Sequence, residues 1–163
     1  MKSLTSAALA LTATSLAAQT TTPPIPAPPI TQPPVDFATA TPLAGNWSYA
    51  TASDGSEATF SNSSGNAQLW IHCTRATRRV SIAKPASAAA PFLNVWTSSL
   101  TRSVPASFNP ATGRLTVEVA GNDTILDAIA TSRGRAAFTV GTQPALVVPT
   151  WSEPSRVIED CRG

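Results

Sequence analysis

Between Trp47 and Val119 the chain places its apolar residues at every second position. "NWSYAT" puts Trp47 and Tyr49 on one face, and "EATFSN" sets Phe60 two residues from Ala58. "AQLWIHCT" puts Leu69, Ile71 and Cys73 on one face and Trp70 and His72 on the other. "RRVSIAK" alternates Val80 and Ile82 with polar neighbours, and "FLNVWTS" sets Leu93 and Val95 opposite Phe92, Asn94 and Trp96. "RLTVEVA" alternates Leu115, Val117 and Val119 with Arg114, Thr116 and Glu118. A period of two with one apolar face means strands buried on one side, and therefore antiparallel sheet. The breaks agree: "SDGS" at 53–56, "NSSGN" at 62–66 and "NPATG" at 109–113 are turn sequences. The last predicts a hairpin joining "SVPASF" to "RLTVEV", with Pro105 at an edge or a bulge.

Helical spacing comes late. "GNDTILDAIATSRG" carries Ile125, Leu126 and Ile129 as a stripe, with Asn122 or Asp123 to cap the start and Gly134 placed to end it. After the strands "RAAFTV" and "ALVVPT", "WSEPSRVIEDC" predicts a final helix, capped by Ser152 or Glu153, with Pro154 in its first turn. Val157 and Cys161 are four apart and share its inward face. The expected fold is α+β and mostly β. It is a twisted antiparallel sheet or partly closed sandwich, with two short helices near the C-terminus.

The opening "MKSLTSAALALTATSLAAQ" has a basic residue, a modest apolar stretch and small-residue cleavage positions, as secretory signals do. Residues 1–19 are read as a signal peptide, which places the product in the periplasm or outside the cell. No transmembrane segment is expected after its removal, because the stretch is too short to span. Residues 20–42 are a proline-rich leader, with seven prolines from Pro23 to Pro34 that exclude helix and sheet ladders. A single β-rich domain is expected over 43–163. In an oxidising compartment the only two cysteines, Cys73 and Cys161, are expected to form one disulfide. It ties down a terminus that otherwise frays. Two buried thiols or an intermolecular bridge are the alternatives.

Composition limits function more than it specifies it. The formal charge of +2 falls to about +1 without the segment holding Lys2, too little for a general nucleic-acid binder. His72 is the only histidine, no GxSxG elbow occurs, and one histidine with two paired cysteines leaves no usual zinc set. No catalytic residue, metal site or cofactor is expected. The candidates that remain are binding residues. Arg78 and Arg79 in "TRATRR", and Arg133 and Arg135 in "SRGR", carry guanidinium forks suited to carboxylate or phosphate. If the two groups converge they form an anion patch. Otherwise they pair with Asp127, Glu153, Glu159 and Asp160 and lock the helices to the sheet. Trp70 and Trp96 face away from the aliphatic side of their strands and suit stacking on a sugar.

The stretches "LDAIATSRGRAAFTV" and "VVPTWSEPSRVIEDCRG" resemble small exported proteins of alphaproteobacteria, of the sphingomonad kind. More distantly, the order of features is similar to the invasion-associated locus B family. Signal peptide, strands, a short acidic segment before a strand pair and a cysteine near the C-terminus are common to both. The resemblance implies a non-enzymatic envelope role and transfers no site residue. The partner expected is therefore an envelope protein, a glycan or a lipid headgroup. The alternatives are a cell-wall or glycan hydrolase using a carboxylate pair, and an inhibitor presenting the "TASDGSEA" loop to a foreign hydrolase.

Overall fold

The computed structural model describes residues 37 and 39–163. The expected signal peptide and most of the proline-rich leader lie outside them. Twelve elements follow one another among these residues: β1 (Gly45–Ala52), β2 (Gly55–Asn62), β3 (Ala67–Thr74), β4 (Arg79–Pro85), β5 (Phe92–Trp96), β6 (Thr101–Pro105), β7 (Ser107–Asn109), β8 (Arg114–Ala120), α1 (Thr124–Ala130), β9 (Ala136–Thr139), β10 (Leu146–Val148) and α2 (Ser152–Asp160). They build two antiparallel sheets, a larger one ordered β1-β2-β3-β4-β8-β7 and a smaller one ordered β10-β9-β5-β6.

The alternation in the sequence is the alternation in the structure. Leu69, Ile71 and Cys73 of β3, Val80 and Ile82 of β4, and Leu115, Val117 and Val119 of β8 point inward. They meet Leu93 and Val95 of β5 and Phe138 of β9 in one core between the sheets. The tight β1–β2 hairpin needs glycine at position 55, because a Cβ there would stand 1.9 Å from the Cys73 carbonyl oxygen on β3.

The expected "SVPASF" strand is in fact two. Pro105 closes β6 on the edge of the smaller sheet, opposite Phe92. Ala106 then donates its N–H to the Pro91 carbonyl at 2.9 Å. From Ser107 the chain joins the larger sheet, with Phe108 opposite Leu115. The proline has no N–H with which to extend the ladder, so the strand changes sheet where the sequence offered only an edge or a bulge. The "NPATG" hairpin itself forms between β7 and β8, and Gly113 supplies its left-handed residue at φ 61°.

Both helices form, with two differences at their ends. Asp123 caps α1 by accepting the Ile125 N–H at 2.9 Å. Gly134 does not end that helix. Thr131 does, donating its N–H and its hydroxyl to the Asp127 carbonyl at 2.9 and 2.7 Å, and Gly134 turns the chain into β9 at φ 75°. Neither Ser152 nor Glu153 caps α2. The capping position falls to Trp151, whose side chain makes no capping bond. Pro154 does sit in the first turn, where a missing N–H costs little.

Helix α2 lies against β1, β2 and β3 on their inner side. Val157, Ile158 and Cys161 enter the core, and Cys161 is bonded to Cys73 with their Cα atoms 5.5 Å apart. Further ties hold the helix. Tyr49 of β1 donates its hydroxyl to Asp160 at 2.7 Å, and the Arg156 guanidinium covers the Tyr49 ring at 3.9 Å. Arg162 joins the helix end to α1 through Asp127 at 2.7 Å. The hydrogen bond from Tyr49 holds the Asp160 carboxyl below the ordinary carboxylate range. Among the described residues, no helix is long and apolar enough to cross a membrane.

Two outcomes follow for stability. The disulfide closes a loop of 88 residues; removing it with Cys73→Ser should cost about 2–5 kcal/mol and lower the unfolding midpoint by several degrees or more. An unchanged midpoint under oxidising conditions contradicts the staple. Tyr49→Phe should cost about 1 kcal/mol at neutral pH. The folded pKa of Asp160 is depressed, so this contribution is complete above the unfolded pKa and vanishes as pH falls through the folded one. Chemical unfolding of both proteins across that range should show the curves merging on the acid side.

Candidate functional site

The outer face of the larger sheet carries a groove whose shape follows from strand order. One row across the sheet is Thr59, Trp70, Ala83, Thr116 and Ser107; the adjacent row is Glu57, His72, Ser81 and Glu118. In the middle of β4 the outward residues are small, Ser81 and Ala83. On β3 they are large, Trp70 and His72. On the far side stand Thr116 and Arg114 of β8 and the hairpin residues Asn109 and Thr112. Large residues on two strands flanking small ones on the strand between leave a trench along β4, about 370 Å³ in volume.

Its side chains are held by one another. The Arg114 guanidinium carbon lies 3.6 Å from the centre of the Trp70 ring, a cation–π contact. His72 stands between two carboxylates, with Nε2 3.1 Å from Asp54 and Nδ1 3.6 Å from Glu57. Glu57 also accepts the Thr59 hydroxyl at 3.1 Å. Indole, guanidinium, carboxylate, imidazole, hydroxyl and amide groups thus line one open trench. Such a lining suits a polar ligand with a flat, less polar face.

The other residues expected to bind lie elsewhere. Trp96 is not at the surface. Although it faces outward from the smaller sheet, it is 7% exposed and packs with Ala137 and Val147 under Phe37 and Ala40. Its Nε1–H donates to Thr139 at 3.2 Å. Packing therefore begins before residue 43, where the domain boundary was expected. Arg135 fastens this covering segment by donating to the Ala40 carbonyl, and Leu43 donates its N–H to Val147 at 2.8 Å. Arg133 is exposed, with its backbone N–H on the Ser98 hydroxyl at 3.0 Å.

The two arginine groups do not converge. Arg133 and Arg135 border a cleft of about 320 Å³ with Phe37, Thr97 and Ser98. Arg78 borders another of about 620 Å³ beside Gly121, Asp127 and Arg162. Arg79 pairs with Glu118 at 3.4 Å. The helix-locking role falls to Arg162 and Arg156 rather than to the SRGR arginines. The Arg78 cleft is the larger, but it holds no aromatic ring, and its Arg162 and Asp127 are paired with each other. Arg162 is taken up by Gly121, Asp127 and Glu159, and Arg78 turns the chain at φ 51° while its carbonyl accepts the Gly121 N–H. The trench along β4 is the candidate site.

Of the expected binding residues, only Trp70 lies there. Sequence reading missed Arg114, Glu57, Asp54 and Ser81. Their signal was present only as outward positions on alternating strands, and nothing local said that β4 and β8 would be neighbours.

Cutting the fastening should expose Trp96. Arg135→Ala is expected to cost about 1–2 kcal/mol, and to red-shift tryptophan emission and raise its quenching by acrylamide. Emission identical to that of the parent protein contradicts the covering role of Phe37 and Ala40. The chain matches no protein-family model, no curated protein and no solved structure.

Proposed function

We propose that this chain is an exported, non-enzymatic protein of the bacterial envelope that binds a glycan in the trench along β4. The observation that carries this reading is the Trp70–Arg114 stack beside the small floor of Ser81 and Ala83. An indole with a guanidinium over one of its faces, flanked by hydroxyl, amide and carboxylate groups, offers a sugar both a flat wall of low polarity and hydrogen-bond partners. The signal-like N-terminus, the Cys73–Cys161 bond and the resemblance to small exported proteins support the envelope setting. Phe37 and Ala40 pack on the smaller sheet and the trench opens on the larger one.

The two alternatives fit the geometry less well. A glycosidase needs two carboxyl groups roughly 5–10 Å apart across the substrate. Asp54 and Glu57 are close enough, but the His72 imidazole stands between them and engages both, so no sugar fits between that pair. Glu57 and Glu118 share a row but stand on β2 and β8, with two strands between them. Three strand spacings separate their backbones by about 14 Å, and Glu118 is paired with Arg79. An inhibitor needs a protruding loop. The "TASDGSEA" segment is instead a tight hairpin with Ala52 opposite Gly55, and its Asp54 is turned back onto His72.

A thermal-shift screen of the oxidised full chain tests the reading, with peptidoglycan fragments, neutral and acidic oligosaccharides, lipopolysaccharide and simple anions as the panel. A glycan at 100 times its Kd should stabilise the native state by about 2.7 kcal/mol. Trp70→Ala should remove that shift. A shift from simple anions alone, or one that survives Trp70→Ala, overturns the trench as a glycan site.

A further inference from the structure

The trench is electrically polar along its length. One end holds Arg114, whose guanidinium carbon sits 3.6 Å over the centre of the Trp70 ring, close enough that face-on stacking is the arrangement that fits. A guanidinium stacked by its face keeps its N–H groups at the rim, in plane and free to donate sideways. Among the described residues Arg79, Arg102 and Arg162 each have a carboxylate within 4 Å, whereas Arg114 lies against the indole. Its charge is thus fixed in position over the trench and not neutralised by the protein. The opposite end holds Glu57, with Asp54 beyond it on the other side of His72. Glu57 has lone pairs beyond those that meet Thr59 and His72. It favours hydroxyl or ammonium donors and opposes a second anion.

We propose that Arg114, braced on Trp70, selects saccharides that carry one carboxylate. The acid of one sugar sits on the Arg114 fork, and the hydroxyl groups of the next are turned toward Glu57 and His72. This rests on the glycan reading and adds a ligand class to it. The planar fork matches a carboxylate through two parallel hydrogen bonds, and the indole holds it in orientation before the ligand arrives. Chains acidic on every sugar are disfavoured, because their second carboxylate meets Glu57.

Calorimetric titration of the oxidised full chain tests this with three probes. They are a disaccharide of glucuronic acid and N-acetylglucosamine, its carboxyl-reduced neutral counterpart, and trigalacturonate. The mono-acid should bind about tenfold or more tighter than the neutral sugar, and trigalacturonate no tighter than the mono-acid. Arg114→Gln should bring the acid-to-neutral ratio to about one. Arg114→Lys, which keeps the charge and loses the fork, should fall between. Glu57→Gln should raise trigalacturonate affinity relative to the mono-acid. Each variant is compared at an unchanged unfolding midpoint. Equal binding of acid and neutral sugars by the parent protein overturns the carboxylate selection and leaves the glycan trench standing. Binding of neither sugar overturns both. A ratio that survives Arg114→Gln, or loss of both sugars alike in that variant, overturns the selecting role of Arg114.

Discussion

The bond between Cys73 and Cys161 joins an interior strand of the larger sheet to the residue that ends the last helix. Much of the arrangement depends on this fixed point. A helix of nine residues is too short to be stable by itself. Held at its C-terminal end by sulfur, with Val157 and Ile158 in the core, it covers the inner side of β1–β3. The smaller sheet closes the rest of that side, with β5 against β8. The inner face of the larger sheet is thereby covered along its length, and its outer face is left open to water.

Polar contacts refine this plan. Burial pushes the Asp123 carboxyl up, but hydrogen bonds from Arg102 and from the Ile125 N–H outweigh that and leave it below its ordinary value. One aspartate thus caps α1 and pairs with β6. Lys84 is the exception inside. It is buried near the end of β4, its ammonium donates to the Pro85 carbonyl at 3.2 Å, and burial lowers its pKa. It faces inward in a strand whose middle outward residues, Ser81 and Ala83, form the trench floor. The alternation that buries Val80, Ile82 and Lys84 is also what presents a small-residue strip outside.

The same alternation explains how far the site was legible. That Trp70 and His72 look outward follows from Leu69, Ile71 and Cys73 looking inward, and Arg114 looks outward because Leu115 does not. Side-chain facing is a local property, set by a period of two. Neighbourhood across a sheet is not. Trp70 and Arg114 are 44 positions apart, and they meet only because β4 pairs with β3 on one side and β8 on the other, in a definite register. Trp96 shows the converse. Its outward position was correct, but Phe37 and Ala40 return over it, and no pattern in β5 records that covering.

The sequence by itself determined the strands and their buried faces, the turns at 53–56, 62–66 and 109–113, two late helices, and the pairing of the only two cysteines. Each depends on near neighbours in the chain or on simple counting. Only the tertiary structure decided that the strands divide into two sheets, that the chain changes sheet between Pro105 and Ser107, that Arg135 holds the covering segment, and that Arg114 lies on Trp70 above Ser81 and Ala83. These depend on which strand edges pair. That choice comes from packing the whole core and docking α2, and no short window of sequence encodes it.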